Sequence, residues 1–209
     1  MTYVRYSILT IVFLCLLTAC NQNPQTEESD PVSGDGQDVE ALSETPERPS
    51  AIAQLINTDK DVIGEVTFHD VDGKTKVDIE VAGLKPGFHG FHIHTVGICE
   101  ADAKEGPFTT AEGHYNPTHA DHPNHVGDLP PLFVTTDGNA KLTVQTDRFS
   151  GQELVEAATG IIIHEKADNL SNIPDRYQST EKDTPGPDKE TLKAGDGGAR
   201  VACGVIIAP

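Results

Sequence analysis

The 209-residue chain predicts an all-β domain, a sandwich or flattened barrel, on three observations. From residue 51 onward, short β-prone runs recur between turn residues, helical periodicity is almost absent, and two long stretches rich in Gly, Pro and charge interrupt the rhythm. About eight short strands at this spacing suit two packed antiparallel layers or a sheet closed on itself.

The expected strands are 51–57 (AIAQLIN), 62–70 (VIGEVTFHD), 75–82 (TKVDIEVA), 88–95 (FHGFHIHT), 131–136 (PLFVTT), 140–147 (AKLTVQTD), 159–164 (TGIIIH) and 200–207 (RVACGVII). Asp72-Gly73 and Asp137-Gly138 are hairpin turn signals between them. The interruptions, 96–130 and 165–199, are too long for plain connections. Loops of that length in a compact domain usually carry function.

The stretch HGFHIH (89–94) holds three histidines in six residues. Strand alternation sends Phe91 and Ile93 to one face and His92 and His94 to the other, where two imidazoles at i and i+2 can grip one ion. Taken alone, the hexapeptide reads equally as a histidine-rich polar face. A second cluster, GHYNPTHADHPNHVGDLP (113–130), contains His114, His119, His122, His125 and Asp128. His122, His125 and Asp128 at i, i+3 and i+6, interrupted by Pro123 and Gly127, suit a loop coiled round one ion, and three imidazoles with a carboxylate match the tetrahedral N/O demand of zinc. In IIIHEKAD (161–168) a strand ends at His164, four residues before Asp168.

Residues 1–19 carry one basic residue, Arg5, and an apolar run from Ile8 to Leu17 that is too short to span a membrane. They read as an export signal, and Leu17-Thr18-Ala19-Cys20 resembles the lipobox of bacterial lipoproteins, in which the cysteine becomes the lipidated N-terminus. Residues 20–50 then form an expected acidic tether, with eight acids, one base and few apolar residues after Cys20, too little to offset the entropy of ordering. With Arg5 and the tether's net −7 set aside from the chain's −18, the domain at 51–209 carries −12. That balance argues against nucleic acid as a partner and for a small substrate met by a local positive spot. Cys15 leaves with the signal and Cys20 takes the lipid. Cys99 and Cys203 remain, and in an exported, oxidising location they are expected to pair.

Together these stretches resemble the copper/zinc superoxide dismutase family. The matching residues are Gly90-Phe91-His92-Ile93-His94 with Gly97 and Cys99, Gly113-His114-Tyr115-Asn116-Pro117, His125-Val126-Gly127-Asp128-Leu129, Ile163-His164-Glu165-Lys166-Ala167-Asp168, and Gly198-Ala199-Arg200-Val201-Ala202-Cys203-Gly204. The resemblance covers essentially all of 51–209 and implies an eight-stranded Greek-key barrel that disproportionates superoxide to dioxygen and hydrogen peroxide. It implies copper on His92, His94, His114 and His164, and zinc on His114, His122, His125 and Asp128, with His114 bridging. Asp168 would stand behind His92 and His122 and fix their tautomers, and Arg200 would guide the anion to copper. Arg200 and His114 are thus the expected catalytic residues.

Some features depart from the family. The loop from His114 to Asp128 is short, which leaves His119 as a substitute for His122. The loop before Arg200 carries an insertion around RYQSTEKDTPGPDKETLK, and Ala194 stands where many relatives have threonine. His69 reads as a solvated strand residue and His89 as structural. The rival reading is a non-catalytic lipoprotein that stores or delivers copper or zinc. A zinc hydrolase is weaker, because four protein ligands close the zinc and no spare carboxylate sits beside it as a base. The sequence leaves monomer and homodimer open.

Overall fold

The structure, a computed structural model, describes residues 48–209. The expected signal, Cys20 and all but the last three tether residues lie outside that range. Among the described residues the strands are β1 (Ala51–Asn57), β2 (Val62–Val71), β3 (Lys74–Val81), β4 (Gly87–His89), β5 (Phe91–His94), β6 (Leu132–Val134), β7 (Ala140–Thr146), β8 (Gly160–His164) and β9 (Arg200–Val205). Two short helices, α1 (Gly151–Glu156) and α2 (Thr191–Ala194), complete the regular structure with one 3-10 turn, Thr109–Ala111.

Period-two alternation builds the first layer. β1 buries Ala51, Ala53 and Leu55, β2 buries Val66 and Phe68, and β3 buries Val77, Ile79 and Val81. The antiparallel register sets Val66 against Ile79 and Phe68 against Val77, so apolar side chains meet across strands. Asp72 (φ 50°) and Gly73 (φ 74°) are both left-handed, as the tight turn between β2 and β3 requires. Seven strands form one antiparallel sheet in the order β5-β8-β9-β1-β2-β3-β7, while β4 pairs with β6. The larger sheet curls into a half-barrel round one core, to which β5 gives Phe91 and Ile93, β8 gives Ile161 and Ile163, and β6 gives Leu132 and Val134.

Two expectations need correction. The run at 88–95 is two strands rather than one: Gly90 donates its N–H to the Lys166 carbonyl (2.8 Å), which takes β4 and β5 into different sheets. Nine strands therefore replace eight. Asp137-Gly138 does reverse the chain, with Thr135 N bonded to the Asn139 carbonyl at 2.8 Å, but the strands it joins are not partners. β6 continues to β4 and β7 to β3.

β8 is buried on both faces. Ile161 and Ile163 enter the main core, whereas Ile162 packs with Ala101, Phe108, Ala111 and Cys203 in a second cluster. Cys203 lies opposite Ile162 in the β8–β9 register and forms a disulfide with Cys99, with Cα atoms 5.6 Å apart. The bridge pins the first long loop against the outer face of the sheet.

Candidate metal centre

β5 is the last strand of its sheet, and its open edge is where the first loop attaches. Tyr115 donates to the Ile93 carbonyl (2.8 Å), Ile93 to the Gly127 carbonyl (2.9 Å) and Thr95 to the Gly113 carbonyl (2.9 Å). These bonds cover a strand edge that would otherwise expose unpaired groups, and they set His114 beside His94 and Asp128 beside His92. Gly127 permits the approach, because a Cβ there would stand 2.5 Å from the Ile93 carbonyl oxygen. Phe91 and Ile93 point into the core as parity requires, and His92 and His94 point outward, yet all four are buried under the loops.

Among the described residues, two four-residue sets bring their donor atoms within 4.8 Å of one another: His92, His94, His114 and His164, and His114, His122, His125 and Asp128. His114 belongs to both. His119 is exposed and belongs to neither, whereas His122 is 1% exposed and its N–H donates to the Leu192 carbonyl of α2 (2.9 Å).

Hydrogen bonds behind the rings assign the tautomers. His94 Nδ1 lies 2.8 Å from the Glu112 carbonyl and His164 Nδ1 lies 3.2 Å from the Gly198 carbonyl. A carbonyl only accepts, so each Nδ1 carries the proton and each Nε2 presents a lone pair. Asp168 does the same for two rings at once, with Oδ2 2.6 Å from His92 Nε2 and Oδ1 2.9 Å from His122 Nε2. The atoms left over, Nδ1 of His92 and His122 and Nε2 of His94, His114 and His164, are buried without hydrogen-bond partners. Buried nitrogens are rarely left so, and five unpartnered nitrogens converging on two points fit two cations. His122 Nδ1 approaches Asp128 Oδ2 to 3.0 Å without hydrogen-bond alignment, as two ligands of one ion do.

In the second set Asp128 Oδ1 lies 2.7 Å from His114 Nδ1, and His125 Nδ1 lies 3.3 Å from both. Three nitrogens and one oxygen form a closed set suited to zinc. Four imidazole nitrogens with no carboxylate suit copper.

Charges differ between the two sets. Burial pushes His92 down to about 4 against the pull of Asp168, and burial with neighbouring imidazoles pushes His164 down to about 3 and His94 well below its ordinary value. These three rings are neutral near pH 7 and free to ligate. For His122 burial is outweighed by the neighbouring Asp128 carboxylate and by the hydrogen bond to Asp168, which raise it to about 9. Burial opposes ionisation of both carboxyls, but the imidazoles of His114 and His122 against Asp128, and bonds from His122 and His92 to Asp168, hold them well below the ordinary carboxylate range.

The second loop completes the site. Asn169 N–H donates to the Gly195 carbonyl (2.9 Å), and Lys166 N–H to the Gly197 carbonyl (2.8 Å), closing the loop on itself behind Asp168. Gly195, at φ +59°, leaves room where a Cβ would fall 2.0 Å from Asp168 Oδ1. Arg200 is half-buried beside the first set, and its guanidinium donates to the Phe108 and Glu112 carbonyls. His89 is buried between two carbonyls, those of His164 (2.7 Å) and Lys85 (2.8 Å), and His69 is half-buried on β2. Glu112 and Gly195 escaped the sequence reading. Glu112 acts through a backbone carbonyl and Gly195 through an absent side chain, and neither leaves a residue-type signal.

The comparisons agree with this geometry. Residues 62–206 match the family described as copper/zinc superoxide dismutase (SODC). The chain is 38% identical to superoxide dismutase [Cu-Zn] of Mycobacterium tuberculosis, over 97% of this chain and 94% of that one. It is 42% identical to the enzyme of the same name from Mycolicibacterium paratuberculosis, over 76% and 74% of the two chains. The fold superposes on the crystal structure of the clock protein EA4 with a TM-score of 0.60 and 32% identity, covering 77% of this chain and 96% of the other.

Proposed function

This chain belongs to the copper/zinc superoxide dismutase family, and on that premise we propose that it disproportionates superoxide: two superoxide ions and two protons become one dioxygen and one hydrogen peroxide. One superoxide gives up the electron that the other takes. The observation that carries the reading is His114, whose Nδ1 faces the three-nitrogen, one-oxygen set while its Nε2 faces the all-nitrogen set.

We assign copper to His92, His94, His114 and His164, and zinc to His114, His122, His125 and Asp128. Copper supplies one-electron redox chemistry when bound, and zinc supplies fixed positive charge on the far side of the shared ring. His114 Nε2 is the atom at which a proton is held and handed to the developing peroxide. Asp168 keeps a proton on Nε2 of both His92 and His122, so Nδ1 is the atom each ring would offer to an ion. Arg200 presents a guanidinium to a small anion in a domain of net −12. Storage or delivery without turnover is not favoured, since the full all-nitrogen set is present with a cation beside it.

The N-terminal sequence supports export, with Cys20 carrying a lipid that anchors the chain at the cell envelope on the extracytoplasmic side. In a Cys20→Ala chain the protein should move from the membrane pellet to the soluble fraction. Of the monomer and homodimer that the sequence leaves open, we propose the homodimer. Phe88 and Phe133, on β4 and β6, lie with ring centroids 4.9 Å apart and are 57% and 53% exposed, an apolar pair that a second copy would cover. Sedimentation of Phe133→Glu against the parent reads that arrangement.

Metal counting on the full chain tests the ligand assignment. One copper and one zinc per chain are expected, with His94→Ala retaining zinc and losing copper, and His125→Ala losing zinc first. Loss of zinc alone from His94→Ala would overturn the assignment.

A further inference from the structure

Arg200 is held at both ends of a single turn. Its Nη1 donates to the Phe108 carbonyl and its Nη2 to the Glu112 carbonyl, and these two residues bracket the 3-10 turn Thr109–Ala111. Both are non-glycines with left-handed φ, 59° and 60°. Phe108, with ψ 16°, lies in the ordinary left-handed region, and its ring is fully buried in the second cluster. Glu112, with ψ −151°, lies where glycine alone goes freely. Its side chain is exposed, so no packing of that side chain compensates.

What the conformation provides is a direction. The Glu112 carbonyl accepts from Arg200 Nη2 and also from His94 Nδ1 at 2.8 Å, tying the guanidinium and one ligand ring to a single oxygen. Glycine would offer the same carbonyl with less strain. This chain instead places an acidic residue at the carbonyl that holds Arg200, the guanidinium bordering the all-nitrogen set. Because Arg200 Nη2 is bonded to the Glu112 backbone and the Glu112 side chain is exposed, the carboxylate stays within one side chain's reach of the guanidinium.

We propose that the Glu112 carboxylate tunes the anion approach: it partly offsets the positive field of Arg200, which the Glu112 carbonyl holds together with His94, so the pair sets anion affinity. The inference rests on the assignment of Arg200 as the group that meets the anion. A fixed counter-charge weakens binding of every small anion, including those that compete with superoxide. Salt removes the effect, because the carboxylate is exposed and a Debye length at 1 M is only about 3 Å.

The test measures azide affinity by copper absorption on the loaded full chain, and the melting temperature of the metal-free chain, for Glu112→Gln, Glu112→Gly and Arg200→Gln. Glu112→Gln removes the charge and keeps the strained backbone, and Glu112→Gly removes both. Both Glu112 variants should bind azide about two- to fivefold more tightly at low salt, a unit charge acting through solvent, with the gain lost at 1 M salt. Arg200→Gln should bind it more weakly. Metal-free Glu112→Gly should melt above Glu112→Gln. Unchanged azide affinity in both Glu112 variants, with weakened binding in Arg200→Gln, would overturn this inference and leave the Arg200 assignment standing. Unchanged affinity in all three would overturn that assignment as well.

Discussion

Asp168 Oδ2 sits 2.6 Å from His92 Nε2, and its other oxygen serves His122 Nε2 at 2.9 Å and Leu170 N at 2.7 Å. One carboxylate from the second loop thus orients a ligand ring in each of the two sets. Asp168→Asn keeps the shape but offers an amide N–H to one of two rings that need an acceptor. Zinc affinity should fall roughly 10- to 100-fold, the usual cost of losing a partner behind a ligand, with a smaller loss for copper. Competition with a coloured chelator reads both constants, and unchanged zinc affinity would show that Asp168 does not orient His122.

Zinc uptake should release protons. His122 is raised to about 9 in the metal-free protein, so near pH 7.5 its Nδ1 holds a proton that the ion must displace. Calorimetry in buffers of differing ionisation enthalpy should find about one proton released per zinc at pH 7.5, falling toward zero above pH 9. Zinc uptake without proton release at pH 7.5 would contradict a protonated His122.

The metal-free protein should lose stability in acid before its ordinary carboxylates titrate. His92, His94 and His164 are held below their unfolded value of 6.5, so between that value and about 4 the unfolded chain binds protons that the folded chain refuses. Their contribution is present above 6.5 and lost as pH falls. His122 has the opposite sign: its contribution is full below 6.5 and fades as pH rises through 9. Three depressed rings outweigh one raised ring, so the melting temperature of the metal-free chain should drop from pH 7 to pH 5. A flat or rising profile would contradict the neutral, buried set.

Opening the disulfide should act on both stability and site. Cys99 and Cys203 are 104 residues apart, a loop whose closure the chain-entropy model values at about 4–5 kcal/mol. Cys203→Ser should lower stability by up to that amount in chemical denaturation. It should also loosen the Phe108–Glu112 turn that grips Arg200, slowing turnover at low salt more than at high salt. A loss of stability with no change in the salt dependence of turnover would separate the bridge from the site.

The strands were legible where alternation is clean, as in TKVDIEVA, because burial of every second residue is a local pattern. The division of β4 from β5 at Gly90 was not, since it depends on a carbonyl 76 residues away, that of Lys166. α1 was missed although Ser150 and Glu153 form a reciprocal cap, which a six-residue helix does not advertise through periodicity. Histidine spacing pointed to His92 with His94 and to His122, His125 and Asp128, because imidazoles declare their chemistry in the sequence; the full sets, with His164 in one and His114 in both, followed only from the family resemblance. His122, favoured over His119 by its distance from His114, is held in the structure by Asp168 and Leu192, contacts that only the folded loops create.

The most direct measurement is superoxide consumption by the full chain, loaded with copper and zinc or with zinc alone, with both metals counted on the same samples. The account predicts rapid consumption at about one copper and one zinc per chain, none with zinc alone, and none in His94→Ala. Two metals bound per chain without turnover would contradict it, and would make the long loop before Arg200 the place to look for an obstruction.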